Sequence, residues 1–176
     1  MIKSMNSSGR MAVVLPHGVL FRKGAEGKIR KSLLEQDLLE TVIGIGPNIF
    51  YGTQLAPCIL IFKQNKDQHK KNKVFFVDAS DQMRVGRAQN HLEEEHIQQI
   101  YEWYCVNEDV ENYTKVVLIE EIIENDYNLN IPLYVEKIIE DNLPSVEEAL
   151  SDLKIAWNES LEAENKFKDI LKEFIS

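Results

Sequence analysis

Hydrophobic and polar positions follow one rule in the first half of the chain and another in the second. Met11-Ala12-Val13-Val14-Leu15 is an unbroken apolar run closed by Pro16-His17-Gly18. Strands covered on both faces read this way, because alternation is lost when neither face meets water. The run therefore predicts a strand inside a sheet, reached so early that the chain reads as if begun in the middle of a fold. Ile29, Leu33 and Leu34 then share one stripe among Lys28, Arg30 and Lys31, which predicts a helix from Gly24 or Ala25 to Glu35. Further apolar β-formers predict strands at Leu38–Ile45, Ile59–Phe62 and Val74–Val77. Gly44-Ile45-Gly46-Pro47-Asn48 ends the first of these three and Asp78-Ala79-Ser80 the last. Lys63–Lys73, rich in Lys and Gln, predicts an exposed loop or hairpin. Helix and strand alternate early and strands crowd later, the pattern of an α/β sheet closed by a hairpin.

From His91 the period lengthens. Leu92, His96, Ile97, Ile100, Trp103 and Tyr104 recur at helical spacing, and Val116–Ile119 is a short apolar run. Asn125–Val135, NDYNLNIPLYV, is too rich in Asn and too interrupted by Pro for a regular element. After Pro144, Ser145 with Glu148 forms a capping-box pattern. Val146, Leu150, Leu153, Trp157, Leu161, Phe167, Leu171 and Phe174 then mark an amphipathic helix of ~30 residues, ~45 Å long. The expected division is a partial α/β domain over 1–105, an irregular segment over 106–142 and a helical tail over 143–176.

Composition narrows the class. An apolar fraction of 44% is ordinary for a globular chain. No apolar run reaches ~18 residues, so no membrane span is expected, and the amino terminus lacks the pattern of a signal peptide. Cys58 and Cys105 have neither disulfide-framework nor metal-ligand spacing, and both are expected to be buried thiols of a cytoplasmic protein. The net charge of −9 conceals a division: residues 1–90 hold 14 Lys+Arg against 7 Asp+Glu, residues 91–176 hold 6 against 22, and every arginine lies in the first part. The basic part suits phosphates and the acidic part repels them, which argues against one continuous DNA-binding face. The acidic part equally suits a solvated helical surface.

Candidate phosphate contacts are Lys23, Lys28, Arg30, Lys31, Lys63, Lys66, Lys70, Lys71, Lys73, Arg84 and Arg87. Without interleaved aromatics they would position a duplex rather than read its bases; the alternative is that they are solvated surface lysines and arginines. His17 stands beyond the carboxyl end of a strand, where ligands of α/β sheets bind, or is an exposed turn imidazole. His91 and His96, five apart, lie on different helical faces and support no metal site.

Three segments, GRMAVVLPHGVLFRKGAEGKIRKSLLE, VIGIGPNIFYGTQLAPCILIFKQNK and NDYNLNIPLYV, occur in this order. Together they resemble the carboxy-terminal portion of the modification subunit of type I restriction–modification systems, adenine-specific DNA methyltransferases; VFFVDAS and GRAQNHLEEEHI fit the same run. The resemblance covers Gly9 to Val135. It implies a Rossmann-like S-adenosylmethionine-dependent methyltransferase sheet, of which this chain carries the later half. In the family an aromatic at the place of Phe50 and Tyr51 stacks on the flipped adenine; the alternative is that Phe50 packs beneath the hairpin as core. The resemblance also implies specificity and restriction subunits as partners, with DNA in the complete assembly.

The chain departs from the family at two motifs. It has no glycine-rich loop after a strand and no Asn-Pro-Pro-aromatic motif, and Ile45-Gly46-Pro47 stands where the family usually has Leu-Pro-Pro. Gly44-Ile45-Gly46 reads as a turn rather than a cofactor loop. No catalytic, cofactor-binding or metal-binding residue is assigned, and the chain alone is expected neither to bind S-adenosylmethionine nor to transfer methyl groups. The tail suits packing against a partner's helices, and equally suits folding back on its own sheet. The rival reading is a stand-alone interaction module, or an inactive remnant, that forms homo-oligomers through the terminal helix.

Overall fold

The apolar runs become the strands of one mixed sheet. The computed structural model describes residues 2–137 and 145–175, which fall in two units, Met1–Ile138 and Ile139–Ser176. In the first unit the elements are β1 (Arg10–Pro16), α1 (Ala25–Glu35), β2 (Leu39–Ile45), β3 (Pro57–Lys63), β4 (Lys73–Ala79), α2 (Glu94–Val106), β5 (Thr114–Leu118) and α3 (Ile119–Glu124). The sheet order is β1-β3-β2-β4-β5. β1, β2 and β4 run in one direction, with β3 and β5 reversed. β2 and β3 pair antiparallel and β3 returns between β1 and β2, so the hairpin spans the loop 46–56; Lys63–Lys73 is a connection, because the β3 and β4 that it joins are not neighbours.

That return corrects the reading of β1. Its sequence suits a strand with both faces covered, yet among the described residues it lies at the sheet edge, with alternating exposure. Met11 and Leu15 pack on the α1 side, whereas Ala12 is exposed and Val14 is 53% exposed. The unbroken burial predicted for β1 belongs to β2, all seven of whose residues are buried.

Two apolar layers sandwich the sheet. Leu20, Leu34, Val42, Phe76, Ile122 and Ile131 belong to the α1 side; Ile43, Ile45, Phe75, Val77 and Ile100 belong to the α2 side. The segment 125–135 has no long regular element, but Leu129, Ile131, Tyr134 and Val135 are all buried in the α1-side core. β5 pairs with β4 and continues the same sheet. Cys58 is buried, and burial pushes its thiol up to about 11. Cys105 is exposed on α2, against expectation. His96 caps α2 by accepting the Glu93 backbone N–H on Nδ1 at 3.0 Å. Lys63–Lys73 is not uniformly exposed: Lys66 is buried.

The second unit is α4 (Val146–Ile175). Its predicted capping box forms, with the Ser145 N–H donating to Glu148 Oε2 at 2.8 Å and the Glu148 N–H donating to Ser145 Oγ at 3.2 Å. The Ser145 backbone and hydroxyl hold the Glu148 carboxyl below its ordinary value of 4.5. A carboxyl depressed in the folded state contributes stability above its unfolded value and loses it as pH falls through the folded one. Amide exchange of the first turn of α4 is therefore expected to accelerate as pH falls below about 4.5, beyond the intrinsic rate, and in Ser145→Ala at neutral pH. Equal protection in wild type and Ser145→Ala at neutral pH would contradict the cap. No helix among the described residues is long and apolar enough to cross a membrane.

Candidate functional site

Strand direction selects one end of the sheet. Parallel β1, β2 and β4 place their carboxyl ends together, the end at which α/β sheets bind ligands. Two adjoining cavities open beside β1 there. The smaller, ≈ 180 Å³, is lined by Val14, Pro16, Phe50, Thr53, Leu55 and Pro57. The larger, ≈ 510 Å³, is lined by His17, Gly18, Phe21, Arg22, Leu55 and Asn130. They share Pro16, Leu55 and Ala56, and so form two lobes of one cleft.

The loop 46–56 between β2 and β3 presents Phe50. Asn48 has φ 56° and Gly52 φ 75°, so two left-handed residues bracket Phe50 and Tyr51, as asparagine and glycine allow. The segment 88–90 clamps the loop base. Asn48 Nδ2 donates to the Ala88 carbonyl at 3.2 Å, the Asn90 N–H donates to the Asn48 carbonyl at 2.9 Å, and Asn90 Nδ2 donates to the Pro47 carbonyl at 3.0 Å. Phe50 is 48% exposed and Tyr51 92%. Phe50 is thus not core: one face lines the small lobe while much of the ring meets solvent.

His17 opens a short 3₁₀ turn after β1, its backbone N–H donating to the Ala56 carbonyl at 3.0 Å. Its ring lies 6.3 Å from that of Phe21. Nε2 is buried without a hydrogen bond, so His17 is not simply an exposed turn imidazole. Burial lowers its pKa below 6.5, with the Asp78 charge and the Asn130 side chain opposing. The imidazole is neutral at pH 7. At the end of β4, Asp78 Oδ1 accepts the Ser80 N–H at 3.0 Å and pairs with Lys137 at 3.3 Å.

Gly44 and Gly46 leave no cradle for a cofactor. A Cβ on Gly44 would lie 2.5 Å from Ile131 Cδ1, and one on Gly46 would lie 2.6 Å from the Ser80 carbonyl. Protein atoms fill the space beside both glycines, so this turn has no room for S-adenosylmethionine.

The predicted phosphate contacts do not converge on the cleft. Arg30 is buried and donates to three backbone carbonyls, those of Val19 and Arg22 at 2.8 Å and Tyr127 at 3.0 Å. Lys66 is buried against Asp37. Both leave the set of surface cations, because their charges are satisfied inside the fold. Lys23 pairs with Asp126, Lys31 with Glu35, Lys63 with Asp67, Lys70 with Glu40 and Arg84 with Glu93. Lys28, Lys71 and Arg87 are exposed and Lys73 is partly buried. Phe21, Arg22, Leu55 and Asn130 line the cleft without having been singled out in the sequence. For Arg22 the available signal was Gly18 four residues earlier, in the turn beyond β1.

An apolar groove of ≈ 370 Å³ between α2 and the sheet, lined by residues such as Ala12, Ile59, Ile97 and Tyr101, is a separate feature. Its polar side chains are Arg10, Tyr101 and Tyr104, with Arg10 Nη1 donating to the Tyr104 hydroxyl at 3.2 Å.

The N-6 DNA Methylase family model matches residues 1–142. The MjaVII type I restriction enzyme methylase subunit of Methanocaldococcus jannaschii is 38% identical over 94% of this chain and 28% of its own length. The MpnII type I methylase subunit of Mycoplasma pneumoniae is 28% identical over 96% of this chain and 31% of its own length. In the crystal structure of a type I restriction-modification system methyltransferase subunit from Streptococcus thermophilus, the match has TM-score 0.69 and 46% identity, covering 74% of this chain and 27% of that one. The EcoKI M protein shares the fold, with TM-score 0.62 at 22% identity. The chain thus spans about 30% of the length of the curated relatives it matches. The match over residues 1–142 makes this chain a member of the N-6 DNA methylase family.

Proposed function

We propose that this chain is the later part of the modification subunit of a type I restriction–modification adenine methyltransferase, and that its sheet is the later half of that enzyme's Rossmann-like domain. It contributes one wall of the target-base pocket, with Phe50 and Tyr51 offering ring faces and His17 a neutral imidazole beside the cleft. The observation that carries this reading is Phe50, half exposed at the carboxyl end of the sheet and held there by a clamped loop. A base removed from the duplex loses its stacking, and an aromatic face restores part of it, about 1–3 kcal/mol per base. S-adenosylmethionine and methyl transfer belong to the complete enzyme, and the chain alone binds the cofactor poorly. In that enzyme α4 docks on the specificity subunit, with DNA and the restriction subunit completing the assembly. A second reading, self-association through α4, is favoured by its own exposed apolar residues, among them Leu150, Leu153 and Trp157.

The test uses the chain itself. Phe50→Ala is expected to weaken binding of a short adenine-containing single strand by about 5- to 160-fold, as follows from that stacking energy. Calorimetry with S-adenosylmethionine is expected to show no low-micromolar binding. Unchanged oligonucleotide affinity in Phe50→Ala would remove the pocket-wall reading, and tight cofactor binding would remove the claim that the chemistry lies elsewhere.

A further inference from the structure

We propose that Arg22 is the phosphate-binding residue of this cleft, with Gly18 the residue that sets its guanidinium in place; the inference rests on the target-base reading above. Arg22 lines the larger lobe beside His17, Phe21 and Asn130. That lobe adjoins the smaller one holding Phe50, where Leu55 and Pro16 form the shared wall. A base seated against Phe50 leaves its sugar and phosphate outside the small lobe, and the larger lobe is the adjoining space.

The guanidinium is positioned but not satisfied. A Cβ on Gly18 would lie 2.7 Å from Arg22 Nη2 and 2.8 Å from Cζ, so the planar group lies against the glycine backbone. The side chain is 56% exposed. Its anionic neighbour, Glu26 Oε1, is 3.5 Å from Nη1, beyond the ~2.7–2.9 Å of a charged hydrogen bond. The other Glu26 oxygen is buried and makes no hydrogen bond. Arg30, by contrast, has its donors committed to carbonyls, and Arg84 has Glu93. A planar fork with open donors suits a phosphate, which accepts two parallel N–H bonds. Glu26 is then the internal anion that a phosphate displaces.

The experiment is fluorescence anisotropy of the chain with a short adenine-containing single strand across a salt series, which avoids the cost of opening a duplex. Arg22→Ala is expected to weaken binding about tenfold or more, the lower end of the scale for one charged contact. It should also flatten the slope of log affinity against log salt by about 0.7, the single-strand value per phosphate. Arg22→Lys keeps the charge but not the fork, and should recover only part of the affinity. Gly18→Ala changes no charge and should also weaken binding, because its Cβ displaces the guanidinium. Glu26→Gln should tighten binding, and by more than Glu35→Gln, which removes the same charge farther along α1. Circular dichroism checks folding; if Gly18→Ala is unfolded, the Arg22→Lys and Glu26→Gln arms decide. Should Phe50→Ala weaken binding while Arg22→Ala does not, or should Glu26→Gln act no differently from Glu35→Gln, the Arg22 assignment falls and the base-cleft reading stands. Should wild type bind no better than Phe50→Ala, both fall together.

Discussion

Arg30→Ala is expected to lower the unfolding free energy of the sheet unit by about 3–4 kcal/mol, a large share of the roughly 5–15 kcal/mol that holds a domain together. The Arg30 guanidinium leaves α1 and donates to the carbonyls of Val19, Arg22 and Tyr127. Those three carbonyls belong to the turn after β1, the entry to α1 and the irregular segment after α3. Alanine removes all three bonds and leaves the carbonyls short of donors; each bond to a charged group is worth about 1.5–3 kcal/mol, and losses sharing one side chain do not add fully. Burial lowers the pKa of Arg30 from its ordinary value, with Glu26 and Asp126 opposing, yet a guanidinium stays charged at neutral pH. Lysine keeps the charge but offers one centre for three acceptors, so Arg30→Lys should fall between. Urea denaturation followed by near-ultraviolet circular dichroism measures the loss. A cost below about 1 kcal/mol, the scale of an exposed pair, would return Arg30 to the surface cations.

What the sequence made legible follows from what each residue type senses locally. Strand cores at β3 and β4 are unbroken apolar runs, and β2 is a stretch of β-formers interrupted by Glu40 and Gly44; in each the pattern separates strand from turn. The Ser145–Glu148 cap is equally local, because both partners lie within one turn. β1 fails for a reason of topology: residues 11–15 carry no trace of β3 inserting between β1 and β2. Cys105 fails because a thiol's burial depends on which face of α2 it occupies. The irregular segment illustrates the opposite case. Its lack of period is visible, but not that Leu129, Ile131 and Tyr134 close the core, since they meet Leu20, Gly44 and Phe76, which lie far earlier in the chain.

The site was legible in part. Phe50 and Tyr51 stand out through the family resemblance and His17 through its place beyond a strand's carboxyl end; Phe50 and His17 line the cleft, whereas Tyr51, 92% exposed, lines neither lobe. The cations were not separable by sequence. Arg30 and Arg22 lie eight residues apart on the same basic stretch, yet one is enclosed by carbonyls and the other stands at the cleft rim. Composition counts both as positive charge; only burial and partners tell that one is enclosed by the fold and the other lines the cleft.

Lys66 is the second cation the fold has taken inward, and Lys66→Met is expected to cost about 2–3 kcal/mol. Its ammonium, 1% exposed, donates to Asp37 Oδ1 at 2.5 Å and to the Lys73 carbonyl at 2.7 Å. Asp37 sits at φ 51° between α1 and β2, and its Oδ2 accepts the Asn72 N–H at 3.0 Å. The pair thus ties the end of α1 to the loop before β4. Breaking a buried pair costs about 3–5 kcal/mol, reduced here because the Asp37 side chain is 25% exposed. Asp37→Asn does the more specific damage, leaving a buried ammonium whose remaining opposite charge is Glu40, itself paired with Lys70. Burial already lowers the Lys66 pKa from 10.5, with Asp37 opposing, so removing Asp37 lowers it further. The folded state then holds that proton less tightly than the unfolded chain, and stability rises with pH between the lowered value and 10.5. Asp37→Asn should therefore be most destabilised near neutral pH and recover part of its loss as pH rises into the alkaline range. The double variant Lys66→Met with Asp37→Asn should cost less than the sum of the singles, because it leaves no unpaired charge. Additive losses, or an Asp37→Asn deficit indifferent to pH, would show that the two side chains do not act as a pair.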